Sequence, residues 1–109
     1  MIKLDAKETM AAQAYAAYMI ATSYFGSYKC VTPQMEKKTE HLYRLQSIEN
    51  QYKMEDRIKA LMEKQVLPQI SEELLDSQVE VAFLSDGSGV RITDGLEFVL
   101  EIRQSVREI

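Results

Sequence analysis

The sequence predicts a single, mostly helical α+β domain over residues 1–109. Three observations support this fold class. An apolar segment rich in alanine and tyrosine lies near the start, a 34-residue segment from Pro33 to Val66 has helical periodicity, and the apolar period changes to two near Val79. We therefore expect two long antiparallel helices, a β-hairpin around Asp86–Gly89 and a C-terminal helix.

The first helix is predicted to begin at about Ala6, because Asp5 and Glu8 have the spacing of a capping box. Six alanines between residues 11 and 21 favour this helix, and Gly26 is typical of a helix stop. Apolar side chains cover most of its circumference, which indicates a buried helix. Its apolar run of about 16 residues would extend roughly 24 Å, which is shorter than the ~30 Å hydrocarbon core of a membrane. We expect the central helix of a soluble domain.

The second helical segment is too long for one helix of a compact chain. Its 34 residues would extend about 51 Å, whereas a globular chain of this size has a diameter of roughly 34 Å. The apolar stripe also loses its register between Tyr52 and Ile58. We expect either an interruption near Asn50 or a projecting half that is buried against a second copy, and the sequence does not distinguish the two.

The β-hairpin is predicted from a change of period. Val79, Val81 and Phe83 alternate with other residues, and the segment Asp86-Gly87-Ser88-Gly89 is rich in residues that tolerate a positive φ. Residues 90–92 would form the returning strand. A two-stranded hairpin is marginally stable alone, so it must pack on the helices or pair with another chain.

The last 14 residues fit two interpretations. As a strand, Leu96 and Leu100 would share a face; as a helix, Leu96, Val99 and Ile102 would. The helical spacing continues to the end of the chain, whereas the alternation stops at Arg103. We therefore predict a helix over residues 96–109.

The charge is distributed unevenly along the chain. Residues 1–32 and 33–66 each sum to +1, whereas residues 67–109 hold nine acidic residues and three arginines and sum to −6. This balance makes a nucleic-acid-binding surface a poor candidate. A single cysteine, Cys30, and the absence of a recognisable targeting segment predict a protein of the reducing cytoplasm.

No catalytic, metal or cofactor site is predicted. His41 is the only histidine, so zinc and di-metal sites lack ligands. Cys30 lies beside Lys29 but has no nearby candidate base. The glycines of residues 86–89 lie between two strands, whereas a phosphate loop opens a helix and carries a lysine. We expect that the protein is not an enzyme.

These exclusions favour a protein–protein interaction module: a small acidic adaptor, inhibitor or immunity-type protein, of the kind that phages and plasmids encode. Charge complementarity with a basic surface on the target would accelerate association. The predicted partner-binding residues are the acidic ones of the last third of the chain, namely Glu72, Glu73, Asp76, Glu80, Asp86, Asp94, Glu97 and Glu101.

The apolar first helix and the long second helix also favour a homodimer or small homo-oligomer. Its predicted interface comprises Ala14, Tyr18, Ala21, Tyr52, Ile58 and Leu61. The alternative function is an oligomer that binds a small anion or nucleotide between subunits, where Tyr15, Tyr18, Lys29 and basic residues of the second helix would enclose the ligand.

Overall fold

Three helices and a four-stranded sheet form the part of the chain that the computed structural model describes, which is residues 3–25, 28–30, 33–69, 79–93 and 99–103. Only the backbone is described for residues 28–30. The elements in chain order are α1 (Ala6–Tyr24), β1 (Tyr28–Cys30), α2 (Pro33–Arg44), α3 (Ile48–Leu61), β2 (Val79–Phe83), β3 (Gly89–Thr93) and β4 (Val99–Arg103). A π-helical turn (Met62–Val66) and a 3-10 turn (Leu67–Gln69) extend α3. The predicted fold class, mostly helical α+β, is confirmed.

The predicted capping box begins α1. The Asp5 carboxylate accepts a hydrogen bond from the Glu8 N–H at 2.8 Å, and the Asp5 N–H donates to the Glu8 carboxylate at 3.0 Å. Two N–H groups that the first turn of a helix leaves without carbonyl partners are thereby satisfied.

The second helical segment is interrupted, as one of the two interpretations predicted. Helix α2 ends at Arg44 and α3 begins at Ile48, after the N-cap Ser47, whose side chain accepts from the Asn50 N–H at 3.1 Å. The break lies slightly before the predicted position. The radius of gyration is 13.7 Å, so none of the described helices projects as a rod.

Strand β1 lies between the two helical segments in the chain. Thr9 and Gln13 line a cavity with residues from Gln46 to Ile58, whereas Tyr24, at the end of α1, donates a hydrogen bond to Glu63 at 3.3 Å.

The sheet has the order β1-β2-β3-β4. Strand β1 is parallel to β2, and the other pairs are antiparallel, so the predicted hairpin of β2 and β3 is confirmed. In its turn, Gly87 has a φ of 74°, a conformation that favours glycine. The Asp86 carboxylate accepts hydrogen bonds from the Ser88 N–H and hydroxyl, at 3.0 and 2.6 Å.

The C-terminal helix prediction is wrong for residues 99–103, which form the strand β4. Ile102 pairs with Val90 of β3 and is buried, whereas its neighbours Glu101 and Arg103 are exposed. Pairing with β3 satisfies the backbone groups along one edge of this segment and buries Ile102 in the core. Such long-range pairing overrides the helical spacing of the local sequence.

Helix α1 lies at the centre of the core. Its buried residues include Ala12, Ala14, Ala16, Ala17 and Ala21, which are fully buried. On the sheet side, the ring of Tyr18 stacks on Phe83 with centroids 4.8 Å apart; on the helix side, Tyr15 lies 5.3 Å from Tyr43. The prediction of a buried central helix is confirmed. Within the described ranges, no helix has both the length and the apolar character needed to cross a membrane.

Candidate functional site

The surface of α3 carries an exposed apolar pair. Among the described residues, three large apolar side chains are markedly exposed: Ile48 by 65%, Tyr52 by 63% and Val99 by 58%. Ile48 and Tyr52 are four residues apart in one helix, so their side chains are neighbours. Exposed apolar side chains that adjoin one another and have a polar rim indicate a contact site more strongly than a single exposed apolar residue does.

Acidic side chains surround this pair. Glu49 and Glu55 lie three residues from Tyr52, and Asp56 lies four residues from it, which are the neighbouring positions on a helix surface. Glu49 and Asp56 are exposed, and Glu55 is half-buried. We call the surface formed by Ile48, Glu49, Tyr52, Glu55 and Asp56 the α3 outer face.

Buried tyrosines attach α3 to the other helices. The Tyr43 hydroxyl donates to the Glu55 carboxylate at 2.5 Å, and the Tyr15 hydroxyl donates to Glu40 at 2.9 Å. Burial and the bond to Glu55 raise the pKa of Tyr43, and burial and the bond to Glu40 raise the pKa of Tyr15 to about 12. The two bonds join α1 to α2 and α2 to α3, and so hold the outer face in position.

The predicted partner-binding residues are only partly placed by the structure. Glu80 is half-buried in β2. Asp86 is exposed, and its hydrogen bonds from Ser88 hold its pKa below the ordinary value. Glu101 forms ion pairs with two arginines, at 3.3 Å from Arg91 and 3.2 Å from Arg103. The remaining members lie outside the described residues: Glu72, Glu73, Asp76, Asp94 and Glu97.

The acidity of the last third is therefore not concentrated in its described part. Glu80, Asp86 and Glu101 with Arg91 and Arg103 sum to −1 of the total of −6 for residues 67–109. The other −5 belongs to residues outside the description.

Four of the six predicted oligomer-interface residues are buried within the chain itself, namely Ala14, Tyr18, Ala21 and Ile58. Leu61 is partly buried against the same core. Only Tyr52 is exposed. The chain's own helices and sheet cover α1, so the apolar surface that favoured a dimer is already occupied.

The tyrosines of the alternative ligand site are also unavailable. Tyr15 and Tyr18 are 6% and 5% exposed and pack against Tyr43 and Phe83. Neither ring presents an exposed face on which a nucleotide base could stack. The side chain of Lys29 lies outside the description.

Elsewhere, His41 is exposed on α2. No cluster of three or more metal-ligating side chains occurs in the described ranges of the chain. Ile48 and Tyr52 have the helical spacing of the apolar stripe in the second segment, and this spacing does not reveal their exposure. The acidic residues on three sides of Tyr52 were the available signal.

The chain matches no protein-family model, and neither a curated protein nor a solved structure is significantly similar to it. The candidate site is therefore identified from its own geometry, as an exposed apolar pair with an acidic rim on a helix that buried tyrosines hold in place.

Proposed function

We propose that this protein is a protein–protein interaction module that binds a basic surface of its target through the α3 outer face. The observation that carries the proposal is the exposure of Tyr52 and Ile48 side by side on α3. Tyrosine is one of the residues that most often dominate the binding energy of an interface, because it buries a large area with little loss of side-chain freedom.

The partner would supply an apolar pocket rimmed by lysine or arginine. The pocket would cover the rings and methyl groups of Tyr52 and Ile48, and the basic rim would face Glu49 and Asp56. Glu49 already pairs with Lys53 at 3.2 Å, but the two side chains are 78% and 71% exposed, and such surface pairs are weak. A partner's cation could therefore replace Lys53 at small cost. The acidic contacts would mainly increase the rate of association.

In this role the protein acts as a cytoplasmic adaptor or inhibitor, and it has no catalytic step of its own. The acidic residues Glu72, Glu73 and Asp76 would extend the same interaction by attracting the basic partner. A homodimer through the α3 outer face is the second candidate, because Tyr52 is the one exposed member of the predicted oligomer interface among the described residues.

The test is a tagged capture from nuclease-treated host lysate, followed by affinity measurements with the purified partner. Tyr52→Ala should weaken binding by about 30-fold or more, which corresponds to the ~2 kcal/mol of an interface hot spot. Val99→Ala is the matched control, because Val99 is a similarly exposed apolar residue on β4. Both substitutions are at exposed positions and should change the free energy of unfolding by about 0.5 kcal/mol or less.

Equal affinity of the Tyr52→Ala variant and the wild type would refute the role of the α3 outer face. A further variant with Glu72, Glu73 and Asp76 changed to Lys tests the acidic segment separately. Loss of binding in that variant alone would move the contact from α3 to the acidic segment. A light-scattering mass of two chains that falls to one in Tyr52→Ala would instead identify a second copy as the partner.

A further inference from the structure

Strand β4 lies at one end of the described sheet. It pairs with β3 along one edge, and no described strand pairs with its other edge, which we call the β4 edge. Val99, Glu101 and Arg103 of this strand are exposed. A groove of about 130 Å³ lies between β4 and the turns that follow α3, so the helical layer does not fill the space beside the strand. A strand edge of this kind is a template for pairing with another chain.

Hydrogen bonding in the hairpin shows which groups of β4 point to this edge. The Leu84 N–H donates to the Gly89 carbonyl oxygen at 2.9 Å, so the polar groups of Gly89 point towards β2. Successive residues of an antiparallel strand alternate in this respect, so those of Val90 point towards Ile102, its partner in β4. The groups of Ile102 therefore point back towards β3. By the same alternation, the N–H and C=O groups that point to the β4 edge are those of Val99, Glu101 and Arg103.

The charges of β4 fit a second copy of the strand in one register. Two copies related by a twofold axis pair antiparallel, and their hydrogen bonds join residues whose backbone groups point to the β4 edge. With the axis at Glu101, the two Glu101 carboxylates are directly opposite, and like charges in this position destabilise a sheet. With the axis at Leu100, Val99 is opposite Glu101 and no charges pair. With the axis at Ile102, Glu101 of each copy is opposite Arg103 of the other, which gives two opposite-charge pairs.

The carboxylate of Glu101 is placed to accept a second arginine from this direction. Its ion pair with Arg91, at 3.3 Å, lies on the β3 side, and its pair with Arg103, at 3.2 Å, lies along its own strand. The Glu101 side chain is still 34% exposed and that of Arg103 is 59% exposed. In the register with the axis at Ile102, arginines would flank Glu101 on both sides of β4. The charges select the register, and the backbone hydrogen bonds form the contact.

We propose that a second copy of this chain pairs antiparallel with the β4 edge, with the twofold axis at Ile102. The two four-stranded sheets would then form one continuous sheet. Pairing of β4 with β4 uses the same surface on both copies, so the assembly closes as a dimer. It uses no residue of the α3 outer face, and it therefore stands or falls independently of the proposed partner binding.

The first test is the mass of the full chain by light scattering, from about 5 to about 500 µM, which covers micromolar and weaker dissociation constants. The edge is five residues long, and small interfaces are weak, so the mass should rise from one chain to two within this range. A mass of one chain at every concentration would overturn the proposal.

Charge-reversal variants test the register. Glu101→Arg and Arg103→Glu each place like charges opposite one another and should weaken the dimer tenfold or more. An equal mixture of the two variants restores both opposite-charge pairs and should therefore form a heterodimer. The matched control is Tyr52→Ala, which alters the α3 outer face and should leave the dimer intact. Wild-type dimerisation of both single variants, or loss of the dimer in Tyr52→Ala, would contradict pairing through β4.

Amide hydrogen exchange followed by NMR locates the contact in the wild type. The Glu101 and Arg103 N–H groups should exchange at least tenfold more slowly in the dimer than in the dilute monomer. The Ile102 N–H, which faces β3, should be protected in both. Equal exchange of the Glu101 and Arg103 groups at the two concentrations would refute the pairing. Protection of these groups only after a captured partner is added would assign the β4 edge to a strand of that partner, and would overturn the second copy.

Discussion

Removal of the Tyr43 hydroxyl tests whether one buried hydrogen bond holds the broken second helical segment together. Tyr43 is 2% exposed, and its hydroxyl donates to Glu55 across the break between α2 and α3. In Tyr43→Phe the ring keeps its packing against Tyr15, at 5.3 Å between centroids. Only the hydrogen bond is lost.

A hydrogen bond to a charged group contributes about 1.5–3 kcal/mol to stability. Glu55 is half-buried, so in the variant water can reach its carboxylate in part. We therefore expect the lower part of this range, about 1.5–2 kcal/mol. At roughly 4 °C per kcal/mol for a domain of this size, the melting temperature should fall by about 6–8 °C.

Thermal and urea denaturation followed by circular dichroism would measure this change. Tyr24→Phe is the matched control, because the Tyr24 hydroxyl bonds to Glu63 at 3.3 Å on the surface and its removal should leave the melting temperature nearly unchanged. If both variants melt at the wild-type temperature, the Tyr43 bond does not stabilise the junction and the reasoning is refuted.

Three further predictions concern the core, the sheet and the first helix. Burial and the bond to Glu40 raise the pKa of Tyr15 from 10.0 to about 12. The contribution of the neutral Tyr15 hydroxyl to stability is therefore complete below pH 10 and is lost as the pH rises to about 12. An absorbance titration in which every tyrosine ionises with an ordinary pKa would contradict this prediction. Gly89→Ala should lower the free energy of unfolding, measured by urea denaturation, by about 1–3 kcal/mol or more. The reason is that a Cβ at this position would lie 2.0 Å from the Ile102 carbonyl oxygen. A variant as stable as the wild type would refute the close contact with β4. Asp5→Ala should lower the free energy of unfolding by about 1 kcal/mol by removing the capping box, whereas an unchanged value would show that water replaces the cap.

Several elements could be predicted from the sequence because short-range interactions determine them. The capping box of Asp5 and Glu8 begins α1 where its spacing indicates, and Gly87 adopts the positive φ expected in the hairpin turn. The excessive length of the second helical segment left two interpretations, an interruption or a half buried against a second copy, and the structure has the interruption. The residues of the capping box and of the hairpin turn lie within a few positions of one another. The length of the second helical segment is limited by the overall size of the chain.

The sequence predicted the proposed type of function, binding to a basic partner, but not the residues of the candidate site. Charge and the exclusion of catalytic motifs indicated a protein that binds a basic partner, but they directed attention to the acidic last third. Tyr52 and Ile48 have the same helical spacing as core residues, and spacing alone cannot show which side of an interrupted helix faces water. The structure alone shows that this pair, which follows the break before Ile48, is exposed.

The sequence by itself determined the fold class, the first helix and its burial, the hairpin and the uneven distribution of charge. Only the tertiary structure decided that residues 99–103 form a strand, that β1 separates the two helical segments, and that α1 and α3 line a common cavity. The physical reason is that these features depend on partners far away in the sequence. β3 pairs with β4, and α3 lines the cavity beside α1. Neither local propensity nor periodicity can predict such contacts between distant parts of the chain.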